Sequence, residues 1–77
     1  MTKNIAQKAD DLFQFVEDCY YTIVHDEKKL NHKAIRKLND CYNLADSEDY
    51  QTYFKNECMD DDLTYMFDEI IANCDYL

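Results

Sequence analysis

An all-α fold, a small antiparallel three- to four-helix bundle, is what this sequence predicts, and three observations carry the prediction. The 77 residues include no glycine and no proline, so a tight β-hairpin turn with positive φ has only Asn or Asp to build it. Apolar residues recur at i, i+3, i+4 and i+7 over long stretches, the period of a helix with one buried face. A chain this short buries only about 60–65% of the surface its unfolded form exposes, so residues 1–77 are expected to form a single helical domain around one core.

The elements follow in chain order. Ile5, Ala9, Leu12, Val16, Cys19, Tyr20 and Ile23 keep the helical period for about five turns, predicting a helix over 3–25. At about 100° per residue, Gln7, Asp10, Gln14, Asp18, Tyr21 and His25 take its opposite side. The charged stretch HDEKK interrupts the pattern, and Asn31 is placed to cap a second helix running to about residue 45. Its inward stripe is Ala34, Ile35, Leu38, Cys41, Tyr42 and Ala45, with Lys29, Lys33, Arg36 and Asp40 outside. Asp46 or Ser47 then caps a short third helix that turns Tyr50, Tyr53, Phe54 and Cys58 inward. Where so short a helix acts as a connecting turn, the bundle reduces to three helices.

The segment MDDDLTYMFDEI, residues 59–70, admits two readings. A calcium loop opening at Asp60 and Asp62 needs Gly at its sixth place and Glu at its twelfth, where this chain has Tyr65 and Ile71. Ion binding is therefore rejected. Aspartates at a helix start instead cap free N–H groups and complement the positive end of the dipole. Leu63, Met66, Phe67, Ile70, Cys74 and Leu77 continue as an apolar stripe, which makes 63–77 the fourth helix.

Four cysteines, Cys19, Cys41, Cys58 and Cys74, stand 22, 17 and 16 residues apart with no C-x-x-C pair, so neither a zinc site nor a disulfide framework is indicated. Each falls on an apolar stripe and is read as a buried, reduced thiol. His25 and His32 read as solvated polar residues. No metal and no cofactor is expected.

Charge is unevenly spread. Residues 1–38 hold seven basic and six acidic side chains, a net of +1, whereas residues 39–77 hold one basic and eleven acidic, a net of −10, which together give the chain's −9. Such asymmetry produces a one-sided negative field. On the fourth helix Asp61, Asp68 and Asp75 recur every seven residues, an outward row with about 10.5 Å between members. Asp62 and Glu69 make a second row, and Tyr65 and Tyr76 lie between them. Tyrosine brings large contact area at low entropy cost and is enriched at binding hot spots. These seven residues, Asp61, Asp62, Tyr65, Asp68, Glu69, Asp75 and Tyr76, form the candidate partner-binding face. The competing reading is a merely solvated face, or one covered by the lysines of the second helix.

Catalysis is not expected. The chain has no serine in a turn motif, no glycine loop to cradle phosphate, and no relay partner for either histidine. The expected role is a small acidic helical binding protein that occupies a basic surface of a partner, the surface of a nucleic-acid-binding protein or nuclease. A phage-encoded inhibitor such as an anti-CRISPR or anti-restriction DNA mimic fits that description, and Lys-, Asn- and Tyr-rich composition suits AT-rich coding in a low-GC bacterium or its phage. An immunity protein against a basic toxin shares the same electrostatics.

Two alternatives remain open at this point. One is a structural or adaptor bundle or homodimer; the other is a DNA-binding protein using Lys28, Lys29, Lys33, Arg36 and Lys37 of the second helix. Glu48, Asp49 and Glu57 on a following recognition helix would repel phosphate, so direct nucleic-acid binding is disfavoured. With no signal-peptide core and no run approaching about 18 apolar residues, the expected location is the cytoplasm, a host cell's if the chain is viral, without membrane contact.

Overall fold

Residues 4–73 are described by the computed structural model, and they fold into four α-helices: α1 (Ile5–Tyr20), α2 (His32–Ala45), α3 (Glu48–Asn56) and α4 (Asp60–Asn73). A π-helical turn, Tyr21–His25, prolongs α1. The all-α bundle is thus as expected from the periodicity.

Asparagine starts two of the helices. Asn4 and Asn31, both in extended conformation, accept at Oδ1 from the Gln7 and Ala34 N–H groups at 2.9 and 2.8 Å. Each satisfies one of the four N–H groups that a helix start leaves without an internal partner. Ser47 occupies the cap of α3 without making that bond. The start of α4 corrects the sequence reading: the Met59 carbonyl accepts from the Leu63 N–H at 3.0 Å, so Met59 stands at the cap. Asp60, Asp61 and Asp62 fill the first turn, where they complement the dipole.

Helix ends expose the cost of having no glycine. Glu27 (φ 54°) and Cys58 (φ 57°) are the left-handed positions among the described residues, rather than any Asn or Asp. After α3 the Met59 N–H reaches the Phe54 carbonyl at 2.8 Å and the Cys58 N–H reaches Lys55 at 3.2 Å, the paired bonds of a Schellman motif. Cys58 therefore lies past the helix and is exposed, not turned into the core as its spacing suggested. After the π turn, the Lys28 N–H returns to the Thr22 carbonyl at 3.0 Å.

The core draws on every α-helix. Ala9, Leu12, Val16 and Cys19 of α1, with Ile23 of the π turn, meet Leu38 and Cys41 of α2, Tyr50 and Phe54 of α3, and Leu63, Met66, Phe67 and Ile70 of α4. At about 1.5–3 kcal/mol for each large side chain buried, this cluster is the main term opposing chain entropy. Further expectations change: Ala34 and Ile35, assigned inward, are half-buried outside the core. Tyr42, assigned inward, is 46% exposed, and Lys29 precedes α2 rather than sharing its outer face.

Directions follow from which residues meet. Lys37 Nζ stands 4.5 Å from the centre of the Phe15 ring, while Leu44 and Lys8 line one cleft, so α2 runs opposite to α1. Tyr42 of α2 packs on Phe67 of α4, while α4 makes its most extensive contacts with α1 and also meets the π turn. Short α3 links α2 to α4 and packs on α1.

Candidate protein-binding surface

The outward face of α4 carries the predicted residues. Asp61, Asp62, Tyr65 and Asp68 are exposed and Glu69 is half-buried, because Leu63, Met66, Phe67 and Ile70 take the opposite side of the same helix into the core. Asp75 and Tyr76 lie outside the described residues. Among the described residues no ion pair joins the basic side chains of α2 to the α4 carboxylates. Lys37 lies over Phe15 on α1.

Tertiary structure adds aromatic neighbours to this face. Tyr65 lies 6.0 Å from Tyr20, ring centre to ring centre, and Tyr20 lies 5.5 Å from Tyr21 and 5.8 Å from His25. The Tyr21 and His25 rings approach to 4.8 Å. The backbone cause is the π turn, whose Asp26 N–H bonds the Tyr21 carbonyl at 3.0 Å, one residue further back than in an α-helix. Such turns recur at functional sites. Tyr65 and Tyr21 remain 56% and 49% exposed. The Tyr20 phenol is held above its ordinary pKa, first by hydrogen bonding to Tyr65 and then by desolvation and the charge of Glu69.

Tyr20, Tyr21 and His25 were not assigned to this face by the sequence. Periodicity put Tyr20 inside and the other two on the outer side of α1, and no local pattern tells which helix an outer residue will stand beside. The adjacent pair Tyr20-Tyr21 with His25 four residues on was the available signal.

A second concave surface lies between α2, α3 and α4. Its larger end, about 350 Å³, has Asp46, Asp60 and Asp68 on its walls together with Tyr42, Phe54, Lys55 and Phe67. A smaller apolar end of about 240 Å³ is lined by Leu38, Asn39, Tyr42, Phe67 and Ile71.

The two buried thiols are poorly disposed for chemistry. Cys19 and Cys41 are buried and free. Burial, followed by the neighbouring Cys41 and Asp18, pushes the Cys19 thiol up to about 11, and burial likewise raises Cys41. Among the described residues no group of three or more His, Cys, Asp or Glu side chains is arranged to hold a metal ion. No helix is long and apolar enough to cross a membrane.

Comparison with known proteins returns no matching family model, no matching curated protein and no matching solved structure.

Proposed function

We propose that the chain is a binding protein, not an enzyme, and that its acidic, tyrosine-bearing α4 face docks on a cationic surface of a partner protein, one that ordinarily reads nucleic-acid phosphates. The observation that carries this is the exposed Tyr65, set between Asp61, Asp62, Asp68 and Glu69 and joined to Tyr20 and Tyr21, with no basic side chain of α2 paired to those carboxylates. Spacing agrees with the role. Charges seven residues apart on a helix are about 10.5 Å apart, and three phosphate steps along one DNA strand advance about 10.2 Å along the duplex axis. That separation is near the Debye length at about 0.1 M salt, so each carboxylate row can engage its own Lys or Arg.

A rigid helix presents such rows with little ordering cost, and tyrosines supply contact area that charge alone does not. A phage-encoded inhibitor of a restriction or CRISPR nuclease, acting as a DNA mimic in the host cytoplasm, is the specific form we favour. Free thiols suit that reducing compartment, and thiols with raised pKa are weak nucleophiles at neutral pH.

The test is displacement of a labelled duplex from purified restriction and CRISPR nucleases. Displacement should weaken steeply between about 50 and 200 mM salt and should be lost in the Tyr65→Ala, Glu69→Lys double variant, whose fold is checked by circular dichroism. Failure to displace duplex from any of these enzymes, or displacement insensitive to both salt and the double variant, would remove the proposal.

A further inference from the structure

The groove between α2, α3 and α4 is a different surface from the tyrosine-bearing one, sharing only Asp68 with it. Tyr42 and Phe67, ring centres 5.2 Å apart and nearly perpendicular, line both of its ends. At the apolar end, Tyr42 and Ile71 are 46% and 43% exposed, large apolar groups left uncovered beside buried Leu38. At the other end three carboxylates, Asp46, Asp60 and Asp68, face one cation, Lys55, and no ion pair joins Lys55 to any of them. From Leu38 to Asp46 along α2 is about 12 Å, or two helical turns.

We propose that this groove is a docking site for a basic amphipathic helix of a partner protein. An apolar side chain of that helix enters between Tyr42, Phe67 and Ile71, and Lys or Arg about two turns further along meets Asp46 and Asp68. Charge selects this occupant. A second copy of the chain, at a net of −9, would bring its own acidic half against the acidic end, whereas a helix carrying two or three cations neutralises it. Shape agrees, because a helix laid between two others buries an i, i+3, i+4, i+7 stripe.

The experiment uses fluorescence anisotropy with a labelled amphipathic peptide of about 18 residues, carrying Leu at i, i+3 and i+4 and Lys at i+7 and i+8. The full chain should bind it. Ile71→Glu should abolish binding, and the Asp46→Asn, Asp68→Asn pair should weaken it at least ten-fold, a loss of about 1.4 kcal/mol. Tyr65→Ala with Glu69→Lys, which disables the outer α4 face, should leave it within two-fold, so failure of the proposed function and failure of this site are separable. Absence of binding overturns the proposal, as does equal binding of a peptide whose Leu residues are replaced by Ser. Concentration-dependent dimerisation in light scattering that Ile71→Glu removes would overturn it in favour of a second copy as occupant.

Discussion

The Tyr53 hydroxyl donates to the Asp10 carboxylate at 2.8 Å, joining residues 43 apart in sequence. It ties short α3 to the middle of α1, and it explains why Tyr53, expected to face inward, stops half-buried at the edge of the core. The bond to Asp10 is also the main cause that raises the Tyr53 phenol above its ordinary pKa.

Removing either end of this bond should lower the urea midpoint, and removing both should cost less than the two losses added, because the partners share one interaction. Tyr53→Phe, Asp10→Asn and the double variant measure it. A phenol whose folded pKa is raised contributes stability that is fully present below its unfolded value near 10 and is lost as pH climbs through the folded value. The wild-type advantage over Tyr53→Phe should therefore fade above about pH 10. Simple additivity in the cycle would show that the two side chains act independently.

The same sign governs the buried thiols. Folding raises Cys19 from 9.0 to about 11 and raises Cys41 as well, so the unfolded chain gives up these protons first and stability falls as pH rises from about 9 towards about 11. Cys19→Ala should flatten this alkaline limb. At pH 8, iodoacetamide followed by peptide mapping should label exposed Cys58 while Cys19 and Cys41 react only in urea. Equal labelling of all three in buffer would contradict their burial.

Glycine at the helix ends should stabilise. A left-handed non-glycine residue costs roughly 1–2 kcal/mol, and glycine's greater freedom in the unfolded chain takes back about half of what its introduction relieves. Cys58→Gly and Glu27→Gly, at φ 57° and 54°, are each expected to gain about 0.5–1 kcal/mol in urea denaturation. Cys58→Val should lose stability, since a β-branched side chain fits that region worst. A neutral or destabilising Cys58→Gly would mean that the thiol packs more favourably than its exposure implies.

Caps with and without a side-chain bond provide a paired comparison. Asn31 accepts from Ala34 at 2.8 Å, so Asn31→Ala should cost about 1 kcal/mol. Ser47 makes no such bond, so Ser47→Ala should cost distinctly less. Thermal melts of the two variants test the ranking. The reverse order would place the Ser47 hydroxyl in a bond the structure does not contain.

Much of this architecture was legible in the chain before folding. Periodicity marked the helices, Asn31 marked the start of α2, and Val16, Leu38, Phe54 and Ile70 of the expected inward stripes lie in the observed core, because burial of one face imposes a local repeat that a sequence displays directly. The acidic rows on α4 were legible for the same reason, being the complement of an inward stripe on one helix. Tyr42 was misplaced because its position borders the stripe, and a border residue is buried or bare according to how near the facing helix comes. Cys58 was misplaced because a chain without glycine must choose some other residue for a left-handed helix end, and the apolar period carries no sign of that choice.

What the sequence by itself determined is thus the kind of element, its buried face and the distribution of charge, all of which depend on neighbours within a few turns. Only the tertiary structure decided that α4 packs chiefly on α1, that Tyr20 and Tyr21 stand beside Tyr65, and that α2 and α4 leave a groove with an apolar and an acidic end. Those are relations between residues 20 to 45 positions apart, set by how four stripes close around a single core, and no local repeat encodes them.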